Sequence, residues 1–85
     1  MDERADLYAL GVVLFEMATG RKLFEGETVG EVLEQHLHDA PTDPRKLNPD
    51  IRASLSRLIL RCLEKDPDSR FSSASELRQA LRELA

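Results

Sequence analysis

The chain has 85 residues, 41% hydrophobic and 33% charged, with a formal net charge of −4. That length makes one domain at most, which buries roughly 60–65% of the surface its unfolded chain exposes. The acidic balance and the absence of any Lys/Arg run argue against a phosphate-binding surface, so nucleic acid is not an expected partner. A single cysteine, Cys62, rules out an intrachain disulfide and suits a reducing compartment. Met1 is followed at once by Asp-Glu-Arg, with no basic segment leading into an apolar one. No secretion signal is therefore expected, and a cytoplasmic location is. The longest apolar run, Val12 to Phe15, is far too short to span a bilayer, so no membrane partner is expected.

In chain order, Ala5 to Ala18 (ADLYALGVVLFEMA) reads as a helix with no polar face, interrupted only by Asp6, Gly11 and Glu16, which point in three directions. It asks for burial on every side. Asp2 and Glu3 favour its positive N-terminal end and Gly20 is a good stop, placing the helix over about 4–19. Leu23 and Phe24 in the following connector are expected to pack back onto it.

Thr28-Val29-Gly30-Glu31 is a capping box opening a second helix over 28–38. Val29, Val32, Leu33 and Leu37 form a narrow apolar stripe there, with Glu31, Glu34, Gln35 and His38 turned away, which describes a surface helix. The segment from Ala40 to Pro49 holds three prolines and reads as a loop. Asp50 can cap a third helix over about 51–64, in which Ile51, Leu55, Leu58, Ile59, Cys62 and Leu63 oppose Arg52, Ser56, Arg57 and Arg61. Lys65 to Ser69 breaks the pattern. Ser73-Ala74-Ser75-Glu76 then opens a last helix over 73–84 with Leu77, Ala80, Leu81 and Leu84 on one side. The expected fold is all-α, a single domain over 1–85 with about four helices.

No residue set predicts catalysis or metal binding. His36 and His38 are two apart on a helix and face different ways, so they cannot share a metal, and both read as solvated surface histidines. Cys62 falls on an apolar stripe and reads as a buried thiol. Counting from Asp66 as a calcium loop fails, with Arg70 at position 5, Phe71 at the glycine position 6 and Leu77 at the bidentate position 12. There is no glycine-rich nucleotide cradle, no P-loop and no nucleophile elbow.

Asp6-Leu7-Tyr8-Ala9-Leu10-Gly11-Val12-Val13-Leu14-Phe15-Glu16-Met17, then Thr19-Gly20 and Phe24, and later Cys62-Leu63 through Asp66-Pro67-x-x-Arg70-Phe71, resembles the C-terminal half of the large lobe of a protein kinase. The match covers nearly the whole chain. Cys62-Leu63 and Arg70-Phe71, where tyrosine kinases usually carry Cys-Trp and Arg-Pro, favour the serine/threonine branch, and the texture is similar to bacterial, eukaryote-like members. Lys22-Leu23 departs from the proline common before the phenylalanine.

The resemblance implies that the four helices are F, G, H and I. Helix F is the buried pillar of the lobe. Asp6 would accept backbone hydrogen bonds from the catalytic loop, Gly11 belongs to the helix F signature, and Arg70 would pair with the glutamate of the Ala-Pro-Glu motif; these are structural anchors. Val29, Val32, Leu33 and Leu37 on helix G become candidate docking residues. The family uses ATP and magnesium, yet its glycine-rich loop, strand lysine, His-Arg-Asp loop, Asp-Phe-Gly motif and Ala-Pro-Glu motif do not occur in these 85 residues. No cofactor and no catalytic residue is therefore expected in this chain. Two readings follow: a piece of a serine/threonine kinase domain supplying scaffold and docking surface, or a free-standing helical interaction module. In either, an exposed helix F would favour self-association, or pairing with a protein partner or the remainder of a kinase domain.

Overall fold

The computed structural model describes residues 3–84, with side chains in the first helix from Asp6 onward. The contribution expected of the Asp2 and Glu3 side chains lies outside the described residues. Among the described residues five helices follow one another, α1 (Glu3–Thr19), α2 (Val29–His38), α3 (Pro44–Leu47), α4 (Ala53–Cys62) and α5 (Ala74–Glu83), with one 3-10 turn at Pro67–Ser69. No strand occurs among the described residues.

The helix ends follow local chemistry. Gly20 closes α1 with φ 71°, a conformation that a Cβ disfavours, and its N–H donates to Glu16 O at 2.8 Å. Thr28 Oγ1 accepts the Glu31 N–H, and Ser73 Oγ accepts the Glu76 N–H, as capping boxes require. The return bonds differ from expectation. Glu31 Oε2 accepts the Glu27 N–H at 2.7 Å rather than that of Thr28, and Glu76 Oε2 takes the Ser72 hydroxyl at 2.7 Å. Each carboxylate thereby pins the residue before the cap.

The central contact is α1 against α4. Leu7, Gly11 and Phe15 recur at every fourth residue and face inward. On α4, Leu58 and Cys62 join Leu7, Phe71 and Leu77 in one core cluster; Ile59 and the adjoining Leu63 join Phe15 and Leu23 in a second. Leu14 packs against both, so the α1–α4 pair is the spine from which the two clusters spread. Phe24 packs on the second cluster, as its position in the connector predicts.

Burial of α1 on every side is not what the fold provides. The molecule measures 38 × 33 × 16 Å, little more than one layer of helices. Asp6, Ala9, Leu10, Val13 and Met17 are exposed along one arc of the helix, Met17 at 77%. A slab this thin covers one side of its longest helix.

Three further expectations are corrected. The proline-rich segment contains α3, because Asp43 Oδ1 accepts the Arg45 N–H and Pro44 occupies the first turn, where a missing N–H costs nothing. Asp50 does not cap α4; Arg52 precedes that helix without a side-chain cap bond, and the Asp50 N–H is held by Asn48 Oδ1. Ser56 does not face solvent. It is buried, and its hydroxyl donates to Asp43 Oδ1 at 2.8 Å, tying α3 to α4.

Candidate functional site

Where α2 meets α1 and the turn after α4, aromatic rings and cations interleave. Tyr8 reaches from α1, Phe24 from the connector, His36 from α2, and Lys65 and Arg70 from the turn. The Tyr8 hydroxyl lies 2.8 Å from His36 Nδ1. The imidazole meets Tyr8 edge-on at 5.7 Å and Phe24 at 5.0 Å between ring centres. Lys65 Nζ donates to His36 O at 2.6 Å and stands 5.0 Å from the Phe24 ring centre and 5.8 Å from that of Tyr8. It therefore caps the last-turn carbonyls of α2 while resting on two π faces.

Burial lowers the Lys65 pKa, partly offset by Asp39, and raises that of Tyr8, with the Arg70 cation opposing. Loss of hydration lowers His36, Lys65 lowers it further, and Glu16 pulls the other way. His36 is thus no solvated surface histidine, whereas His38 is exposed and lies 3.4 Å from Glu34.

The polar contacts also set the rotation of α2. Val32, Gln35 and His36 face the body, Gln35 Nε2 donating to Glu25 O at 2.8 Å, so Gln35 is not turned away as its stripe position suggests. Val29, Leu33 and Leu37 point outward, with Val29 at 77% exposure.

The three anchor positions are spread along the fold. Arg70 Nε donates to Glu64 O at 2.7 Å and Nη2 to Lys65 O at 3.3 Å, and its guanidinium lies 4.8 Å from the Tyr8 ring centre. Gly11 lies buried in the α1–α4 contact, and Asp6 is exposed near the start of α1. An open cleft of about 720 Å³ runs between the end of α1 and α2, with Glu16, Arg21, Lys22, Phe24 and His36 on its walls. Cys62 is fully buried, and burial pushes its thiol up to about 11, which suits packing rather than nucleophilic chemistry. Among the described residues no group of His, Cys, Asp or Glu could hold a metal ion, and no helix is long and apolar enough to cross a membrane.

Comparison with known proteins decides what this arrangement belongs to. The family model of the protein kinase domain matches residues 1–82. The chain belongs to the protein kinase family. Its kinase relatives include a probable serine/threonine-protein kinase of Clostridium acetobutylicum, 41% identical over 81 residues, covering 95% of this chain and 12% of the relative. The serine/threonine-protein kinase PknB of Mycolicibacterium smegmatis is 37% identical over 81 residues, covering 95% and 13%. Pkn1 of Myxococcus xanthus is 40% identical over 82 residues, covering 96% and 12%. The chain spans about an eighth of the length of these kinases. In kinase terms α1, α2, α4 and α5 are helices F, G, H and I, and the Tyr8–His36–Lys65–Arg70 cluster lies where helices F and G meet the turn between H and I.

Sequence reasoning singled out Tyr8 and Arg70 within the kinase motifs but missed His36 and Lys65. One signal was available for His36: it stands four residues after Val32 and so shares its helix face.

Proposed function

We propose that this chain is scaffold and docking surface of a serine/threonine protein kinase domain whose whole transfers the γ-phosphate of ATP to protein hydroxyls. The outward rotation of helix G carries the docking part of this reading: Val29, Leu33 and Leu37 stand exposed while the opposite side of the helix is tied to the body. Asp6 is the carboxylate that would hold the catalytic loop, and Arg70 the cation that would meet the Ala-Pro-Glu glutamate. ATP and magnesium belong to the whole domain, because the motifs that hold them do not occur in these 85 residues.

Two measurements test the reading. Incubation of the chain with labelled ATP, magnesium and a general protein substrate is expected to give no phosphotransfer; authentic transfer overturns the scaffold assignment. A whole kinase carrying this stretch with Val29→Ser, Leu33→Ser and Leu37→Ser is expected to lose kcat/KM on a protein substrate and keep it on a short peptide. Equal rates on both overturn the docking assignment. The exposed arc of Leu10, Val13 and Met17 favours a second reading, self-association of the chain through helix F.

A further inference from the structure

Helix α2 has no buried residue, so apolar burial does little to hold it in place. Its position depends on polar and ring contacts, and most of them converge on His36. The imidazole meets the Tyr8 hydroxyl and the rings of Tyr8 and Phe24, and the carbonyl of the same residue takes the Lys65 ammonium at 2.6 Å. Imidazole and ammonium thus share the space beside the same two rings. We propose that this cluster is a pH-sensitive latch, in which neutral His36 holds α2 against α1 and the turn after α4, and a proton taken up from solvent by His36 loosens it.

The surrounding charges decide the direction. From α1, Glu16 favours the imidazolium, while Tyr8 is neutral over the relevant range. Arg21, Lys22 and Glu25 from the connector line the cleft that His36 borders. The turn after α4 supplies two cations, Lys65 and Arg70, and Asp39 just past α2 offsets part of the Lys65 charge. Partial burial and the adjacent Lys65 outweigh Glu16 and keep the docked His36 pKa below the ordinary 6.5. In the imidazolium Nδ1 donates to the Tyr8 oxygen, so the hydrogen bond survives protonation. What protonation adds is a second positive charge beside Lys65, in a partly buried site where water screens the two less than in bulk.

The sign follows. Docked α2 binds fewer protons than released α2 below pH 6.5, so docking is fully favourable above that value and weakens as the pH falls toward and through the lowered His36 pKa. The latch stands whether or not the outward face of α2 docks a partner.

The chain reports on this cluster directly, since Tyr8 is its single tyrosine, tryptophan is absent, and His36 and His38 are its two histidines. Ring NMR of both histidines, Tyr8 emission and α2 amide exchange would be followed from about pH 7.5 to about pH 5, above the main carboxylate range. The expected result is a His36 midpoint below 6.5, with a severalfold loss of α2 amide protection and a change in Tyr8 emission over the same range. His36→Gln keeps an acceptor for Tyr8 without titrating and is expected to flatten the response; His38→Gln is expected to retain it. A His36 midpoint at or above 6.5, α2 protection that does not change with pH, or an unaltered response in His36→Gln overturns the proposal. Should His36→Gln not fold, the wild-type histidine titration decides alone.

Discussion

A Cβ built on Gly11 would lie 2.5 Å from Cβ of Cys62, and 3.4 Å from the Cys62 carbonyl carbon. Leu63 Cδ2, at 3.2 Å, is a side-chain end that can shift, but Cys62 Cβ is bonded directly to the α4 backbone and cannot swing aside. Helix F and helix H approach this closely because residue 11 has no side chain, and both core clusters depend on that spacing. Gly11→Ala is expected to destabilise the chain by about 2–3 kcal/mol, even though alanine is the better helix former. Urea unfolding followed by far-UV circular dichroism measures it, and a stability within 0.5 kcal/mol of wild type (about the noise expected of a surface change) contradicts the close approach.

Cys62 itself is expected to be chemically quiet. With its thiol raised to about 11, about one molecule in a thousand carries a thiolate at pH 8. Reaction with an aromatic disulfide reagent is expected to be slow in buffer and complete within minutes in denaturant. Equal rates in the two conditions would show an accessible thiol.

Removing the Lys65 ammonium tests the cap on α2. Lys65→Met keeps the apolar stem over Tyr8 and Phe24 but deletes the bond to His36 O. The expected loss is about 1 kcal/mol, kept small because the group is partly solvated. It is expected to show as faster amide exchange in α2 with α1 and α4 unaffected.

Asp43 gives the chain an acid-sensitive joint. The Arg45 N–H, and next the Ser56 hydroxyl, hold its carboxyl below the usual 3.8. Its contribution is present above that value and lost as the pH falls through the lowered folded pKa. In Asp43→Asn the stability curve below about pH 4 is expected to be flatter than in wild type, since no carboxylate titrates at the joint. Acid unfolding profiles of the two proteins compare them, and superimposable slopes would remove Asp43 from the account.

The exposed arc of α1 bears on association. Val13 and Met17 are 48% and 77% exposed, so Val13→Glu with Met17→Gln is expected to leave folding stability within about 0.5 kcal/mol. Sedimentation equilibrium is expected to show wild type as a dimer or larger species and the double variant shifted toward monomer. A wild type that stays monomeric at high micromolar concentration removes self-association through helix F.

What the sequence determined by itself was what depends on neighbours a few residues apart. Thr28, Ser73 and Gly20 mark helix ends because each cap closes within about one turn. The burial of Leu58, Ile59 and Cys62 follows from helical spacing, and the run from Asp6 to Phe71 carried the kinase resemblance. Tertiary structure decided which way α2 is turned and where Ser56 finds its partner. The α2 stripe would place Val29, Leu33 and Leu37 inward; contacts across 28 and 29 residues, Tyr8 to His36 and Lys65 to His36, turn them out. Ser56 reads as solvent-facing until Asp43, 13 residues earlier, supplies an acceptor. Periodicity names the faces of a helix, but the partner that satisfies a polar group is chosen in three dimensions, and here those partners hold α2 although none of its residues is buried.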